Sequence, residues 1–239
     1  MDVFTLDVKG ISLAVIMAIL MLFFGGWQYG MLFVAVMVLF LVLSAAVTGF
    51  GKQYKKRARL YQQTRGVRNV IANGLGPLLF AFSVYLLHYT YGTYYVPLIV
   101  GFIASAAAVT ADKFSSEIGV LNGTPISIVT FKKIKKGMSG GISLLGSFAG
   151  LVGAVIISLF GVALLISHMV WNCSLGGCGY AVIGYYLFIF AAAGMGGFIG
   201  TVVDSYLGYF EEIGIGNKYT SNFFCSVVGG LVSIAIVML

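Results

Sequence analysis

The chain is predicted to be an all-α, polytopic integral membrane protein of about seven transmembrane helices, and three observations carry that reading. Hydrophobic residues make up 60% and charged residues 9% of its 239 positions, where a soluble domain carries about 25% charge. The mean hydropathy is +1.02. The charges are also segregated: residues 10–51, 69–111, 137–203 and 219–239 contain no Asp, Glu, Lys or Arg.

A membrane-crossing helix needs roughly 20 apolar residues, so each of the first three uncharged stretches holds two spans and the last holds one. Polar or turn-forming breaks divide the pairs. "GGWQYG" (25–30) separates spans near 9–25 and 30–48, and "HYTYGTYYVP" (88–97) separates 71–88 from 94–112. "HMVWNCSLGGCGY" (168–180) separates 141–167 from 180–203, and the last span is 220–239. The fifth is long enough to tilt or to begin inside the protein. The 33 glycines are expected mainly at close helix–helix contacts.

Seven spans place the N-terminus and segments 49–70, 113–140 and 204–219 on one face. Lys52, Lys55, Lys56, Arg57, Arg59, Arg65 and Arg68 lie in the first of these segments, and Lys113, Lys132, Lys133, Lys135 and Lys136 in the second. The loops of the other face carry no formal charge. The positive-inside rule makes the charged face cytoplasmic, with the C-terminus outside and the cell membrane as the expected location. "MDVFTLDVKG" lacks the basic start of a cleaved signal peptide, so the whole chain 1–239 is read as one transmembrane domain. Basic residues confined to loops beside spans give no reason to expect a nucleic-acid partner, and homo-oligomerisation is left open. Cys173 and Cys178 flank "SLGG" in an outer loop, where a disulfide is permitted; Cys225 reads as a small packing residue.

The acidic residues are few and gathered. "ADKFSSEIG" (111–119) brings Asp112, Lys113 and Glu117 together at the end of the fourth span. A carboxylate at a helix C-terminus opposes the dipole, and an ionisable group at membrane depth is by default a functional hypothesis. Ser115 and Ser116 share the Asp112 face. Glu117 lies about 140° around a continuous helix, so the two acids share a ligand only if the helix unwinds or they serve opposite sides. "VDSYLGYFEEIG" (203–214) echoes the motif, again running from Asp to Glu-Ile-Gly. Asp204, Gly208 and Glu211 fall on one helical face, and the glycine between acids suggests a notch for a hydrated cation. Carboxylates on a basic face suggest Mg²⁺ carried with phosphates, because Mg²⁺ is usually held by one or two carboxylates plus substrate oxygens.

Two further segments suit anions. "KKGMSGGISLLG" (135–146), with Gly137, Ser139, Gly140, Gly141 and Ser143, opens the fifth span as a glycine-rich helix start that offers backbone N–H groups to phosphate. "TRGVRNVIANG" (64–74) carries Arg65 and Arg68, suited to bidentate phosphate contact, and Asn73, whose amide inside a span needs a partner. No Cys–His, Ser–His–Asp or paired-His pattern is present, and both histidines, His88 and His168, fall on the uncharged face. The segments therefore describe a phosphate and divalent-metal site without a protein nucleophile.

"RGVRNVIANG", "ADKFSSEIG", "KKGMSGGISLLGSFAG", "DSYLG" and "GNKYTSN", in this order over about residues 60–235, resemble one integral-membrane family. It contains plant phytyl-phosphate kinase, archaeal counterparts and an animal transmembrane protein, and is distantly similar to dolichol and phytol kinases and CDP-diacylglycerol synthases. The resemblance implies a kinase that uses a CTP-type nucleoside triphosphate to turn an isoprenoid monophosphate lipid, phytyl or geranylgeranyl phosphate, into the diphosphate. It implies metal ligation by Asp112, Glu117, Asp204 and Glu212, with Asp112, Glu117 and Asp204 catalytic. It also brings Ser205, Gly208, Asn217 and Asn222 into the substrate and nucleotide site, beside Lys113, Ser115, Ser116 and the arginine and glycine segments. Where the family usually has threonine after the first aspartate, this chain has Lys113. Two alternatives stay open: a CTP-dependent cytidylyltransferase making a CDP-lipid, which needs the same parts, and a secondary transporter of an anionic metabolite, which midplane carboxylates and broken helices would favour.

Overall fold

The structure, a computed structural model, describes residues 6–61, 66–172 and 180–239. Arg65 and the Cys173–Cys178 pair lie outside the described residues. Helix α1 spans Val8–Gly49 but breaks at Gly26, whose φ of 57° and ψ of −159° interrupt the helix. That backbone region is essentially open to glycine alone. The chain doubles back there: a Cβ on Gly30 would lie 2.6 Å from the Leu22 carbonyl oxygen, and Met17 and Met21 face Val34 and Met37 across one small cavity. Helix α1 is thus an antiparallel hairpin, as "GGWQYG" led one to expect.

Short helix α2 (Lys52–Arg57) follows, then α3 (Val67–Tyr91), α4 (Val96–Gly119), α5 (Leu144–Asn172), α6 (Tyr180–Glu212) and α7 (Lys218–Met238). Six of the helices are long and apolar enough to cross a membrane, and the two arms of α1 make seven passes. The expected all-α polytopic architecture is what forms. Strands β1 (Ile126–Ser127) and β2 (Gly141–Ile142) make one small antiparallel pair, Ile126 opposite Ile142 and Ser127 opposite Gly141.

Helix α4 is the centre of the bundle. Every residue from Ile99 to Asp112 is buried, and α1, α3, α5, α6 and α7 all pack on it. Its "ASAAAVTA" stretch presents little but methyl groups, so neighbours come close: a Cβ on Gly197 would sit 2.6 Å from the Ala107 methyl, and one on Gly200 2.7 Å from that of Ala108. Gly229 approaches Ala108, and Gly101 approaches Ile234, in the same way. Backbone proximity of this kind is how small residues hold membrane helices together.

The charged segments collect at one end of the bundle. Asp7 lies beside Gly66, Leu121 beside Gly51 and Leu60 beside Gly137. At the other end the His88 and Tyr94 rings stack at 3.9 Å, and Tyr29 packs edge-on against Tyr94 at 4.9 Å.

Three sequence-based boundaries are corrected. Residues 113–119 and 204–212, expected in loops, continue α4 and α6 beyond the apolar stretches. Neither run holds a proline, and polar side chains reach water from a helix as easily as from a loop, so the end of apolarity is not the end of the helix. Conversely, Gly141 and Ile142, expected to begin the fifth span, form β2. Helix α5 starts at Leu144, with the Ser143 hydroxyl accepting from the Gly146 N–H at 3.1 Å as its cap.

Candidate functional site

The extended ends of α4 and α6, the α5-leading loop and the stretch after α2 enclose a cleft of about 370 Å³. The continuous helices dictate what faces it. Asp112 is buried at the inner end of the polar part of α4, and Asp204 comes to it from α6, its side chain within hydrogen-bonding reach of the Asp112 carboxyl. Glu211 and Lys218 are the next charges acting on Asp204. The Asp204 Oδ1 is shut off from solvent and has no hydrogen-bond partner. The first acids of the two echoing motifs are therefore a facing pair.

An orphaned, buried carboxylate oxygen beside a second carboxylate fits a divalent cation of the Mg²⁺ kind, for which one or two carboxylates suffice when substrate oxygens complete the shell. The wider four-acid set is not assembled. Helix α4 does not unwind at "KFSS", so Glu117 lines the cleft away from the aspartate pair and is engaged by other groups: its Oε2 accepts from Lys55 Nζ at 2.7 Å, and its Oε1 lies 3.1 Å from Lys113 Nζ and accepts from the Thr48 hydroxyl at 3.1 Å. Glu212 is exposed on α6 and accepts the Ser139 N–H at 2.7 Å. Among the described residues no cluster of three His, Cys, Asp or Glu could hold a metal ion. Glu211, on the Asp204 face, takes the place in the cleft expected of Glu212.

Lys113, Ser115, Ser116, Gly137, Ser139, Gly140, Gly141, Ser143, Ser205 and Gly208 all line the cleft. Several act differently from expectation. The notch at Gly208 is filled by the Gly140 backbone, since a Cβ on Gly208 would stand 2.5 Å from the Gly140 nitrogen. Ser143 spends its hydroxyl capping α5, and Gly141 is paired in β2, so segment 137–143 is a folded strap and not an open amide cradle.

The remaining candidates lie off the cleft. Arg68 is exposed on α3. Asn73 does find the partner its position demands: its Oδ1 accepts from Asn222 Nδ2 at 3.0 Å, and its own Nδ2 donates to the Asn69 carbonyl at 2.8 Å. Asn217 caps α7, its Oδ1 accepting the N–H groups of Tyr219 and Thr220, with Thr220 bonding back to the Asn217 N–H. This reciprocal box fixes the helix start and sets Lys218, its first residue, at the cleft wall.

Arg59, Tyr61, Lys136 and Lys218 line the cleft without having been named as site residues from sequence, and Glu211, placed on the Asp204 face by periodicity but not named as a ligand, lines it too. For Glu211 the signal existed in its spacing from Asp204. For Arg59 and Lys136 it was hidden among many basic residues that the positive-inside rule already explains.

The similarity of the chain to known proteins agrees with this architecture. The family described as "Integral membrane protein DUF92" matches residues 2–221. The uncharacterized membrane protein MJ0933 of Methanocaldococcus jannaschii is 34% identical over 97% of this chain and 85% of its own length. Protein PGR of Arabidopsis thaliana is 27% identical over 85% of this chain and 71% of its own. No solved structure matches. Since the family match covers nearly all of the membrane bundle and both aspartate-bearing helices, the chain belongs to the DUF92 family of integral membrane proteins.

Proposed function

We propose that this protein is a membrane-bound phosphotransferase that converts an isoprenoid monophosphate, such as phytyl or geranylgeranyl phosphate, to the diphosphate with a CTP-type nucleotide and Mg²⁺ at the cytoplasmic face. The observation that carries the reading is the Asp112–Asp204 pair set in a cleft whose walls also bear Arg59, Lys113, Lys136 and Lys218. Paired acids inside a cationic wall suit a polyphosphate that arrives with its metal. The order of the motifs noted in the sequence supports the isoprenoid substrate.

Asp112 and Asp204 would hold the metal, which when bound screens and aligns phosphate oxygens. The basic side chains draw the two anionic reactants together and balance charge on the phosphoryl group in flight. The lipid phosphate is itself the nucleophile. One of its oxygens bonds to the γ-phosphorus as the bond to the β-phosphate bridging oxygen breaks, releasing the nucleoside diphosphate. That oxygen is already anionic at neutral pH, so no protein base is required, in keeping with a cleft that has no His or Cys among its described lining residues. Leu144 and Phe148, exposed at the start of α5 directly after Ser143, offer the lipid tail an apolar approach from the bilayer.

Product analysis tests the proposal. Detergent-purified protein given CTP, Mg²⁺ and phytyl or geranylgeranyl phosphate is expected to yield the lipid diphosphate and CDP, and to stop when EDTA is added. A CDP-lipid with pyrophosphate would instead identify a cytidylyltransferase. Absence of turnover with every nucleoside triphosphate would reject both.

A further inference from the structure

We propose that Arg59 is a phosphate-contacting residue of this cleft, set in place by the buried Lys55–Glu117 ion pair; the inference rests on the phosphotransferase reading. Sequence spacing favoured Arg65 and Arg68; Arg65 lies outside the described residues, Arg68 is off the cleft, and among the described arginines Arg59 is the one on the cleft wall.

Its backbone gives the first reason. Helix α2 closes with the Leu60 N–H donating to the Lys55 carbonyl at 2.8 Å and the Arg59 N–H donating to the Lys56 carbonyl at 3.1 Å. This closure requires a left-handed residue just past the helix, normally glycine. Here it is Arg59, with φ 58°. Among described residues only Phe131, at φ 55°, is another non-glycine in that region, and Phe131 is not on the cleft. Glycine would relieve the strain, so retaining a side chain at the one left-handed non-glycine position that lines the cleft, among the described residues, points to work done by that side chain.

The second reason is how firmly the position is held. Lys55 is fully buried, and its ammonium donates to the Val47 carbonyl at 3.1 Å, the Thr48 carbonyl at 3.0 Å and Glu117 Oε2 at 2.7 Å. It thereby ties α2 to the end of α1 and to the same helical extension that carries Asp112. Leu60, the residue after Arg59, packs so tightly on Gly137 that a Cβ there would lie 2.5 Å from its Cδ2. Among the described residues no acidic side chain pairs with Arg59, and its planar guanidinium has the geometry for bidentate contact with a phosphate. Lys55 and Glu117 act through it as positioning residues.

Equilibrium binding of CTP with Mg²⁺, and of inorganic pyrophosphate, to the full chain in detergent tests this, with melting temperature recorded for each variant. Arg59→Gly is expected to keep or raise the melting temperature while weakening CTP binding about ten-fold or more, the loss of a charge-assisted hydrogen bond. Arg59→Asn, which also tolerates the left-handed backbone, should show the same loss, and Arg59→Lys should recover part of it. Lys55→Met should weaken binding too, and combining it with Arg59→Gly should add little, because the two act as one unit. Wild-type affinity in both Arg59→Gly and Arg59→Asn would make Arg59 a helix cap only and overturn the inference. Fully additive losses would overturn the positioning role of Lys55. A wild-type protein that binds neither probe would reject the phosphotransferase reading, and this inference with it.

Discussion

Gly140 and Gly208 meet backbone to backbone: a Cβ on Gly140 would stand 2.6 Å from the Tyr209 nitrogen, and one on Gly208 2.5 Å from the Gly140 nitrogen. Gly208 is one helical turn from Asp204 and on its face. The strap between β1 and α5 is therefore docked against the helix that carries one of the two central acids. Its register along α6 decides where the walls of the cleft stand.

The two glycines should respond unequally to alanine. Gly140 has φ +75°, so Gly140→Ala meets both the overlap and the left-handed backbone penalty of roughly 1–2 kcal/mol. Gly208 is helical and meets the overlap alone, about 1–3 kcal/mol for forcing extra volume into a packed contact. Thermal unfolding in detergent should place Gly140→Ala below Gly208→Ala, and both below wild type. Equal melting temperatures in all three would mean that strap and helix do not touch in solution.

Glu117 was expected to bind metal and is instead held by Lys55, Lys113 and Thr48. Lys55→Met leaves that carboxylate partly buried with one cation fewer. Breaking a fully buried pair costs about 3–5 kcal/mol; with Lys113 and Thr48 remaining, a loss of about 2 kcal/mol is expected. Glu117→Gln should leave the Mg²⁺ concentration for half-maximal activity unchanged even where turnover falls. A Mg²⁺ requirement raised ten-fold in Glu117→Gln would return this residue to the metal site.

The seven passes and the end of the bundle that gathers the charged cleft were legible because they depend on one-dimensional signals, apolar length and charge position. The helical face shared by Asp204, Gly208 and Glu211 was legible from periodicity. What could not be read was which acid meets which partner. Asp112 and Glu117 sit five residues apart in one motif, yet the uninterrupted helix sends one to Asp204 and the other to Lys55, and nothing local marks Lys55 among its basic neighbours as the buried one. The role of Asn217 as a helix cap was equally hidden by its place in a motif that resembles a binding sequence.

Asn73 and Asn222 link α3 to α7 through one amide hydrogen bond of 3.0 Å. Interhelical polar contacts in membrane proteins contribute about 0.6 kcal/mol on average, but removing one partner leaves the other amide buried and unpaired at about 1–3 kcal/mol. Asn73→Leu alone should therefore destabilise more than the pair is worth, and Asn73→Leu with Asn222→Leu should recover much of the loss. A double-mutant cycle on unfolding in mixed micelles measures this. Strictly additive losses would show that the two amides act separately.

Asp112 and Asp204 present two carboxyl groups to each other in a buried setting, an arrangement that opposes folding when both are charged and no cation lies between them. Asp112→Asn or Asp204→Asn removes one charge and keeps the shape. In EDTA each variant should melt at or above the wild-type temperature, because the repulsion is gone. With Mg²⁺ the order should reverse: wild type is stabilised by binding the ion, by an amount that grows with its concentration over the dissociation constant, while each variant gains little. Turnover in either variant should fall about 100-fold or more, since an amide is a poor substitute for a carboxylate toward Mg²⁺. The thermal measurement separates this from a purely structural role. If both variants melt below wild type in EDTA and Mg²⁺ stabilises all three alike, the pair is a packing contact that shares a proton, and the metal is held elsewhere.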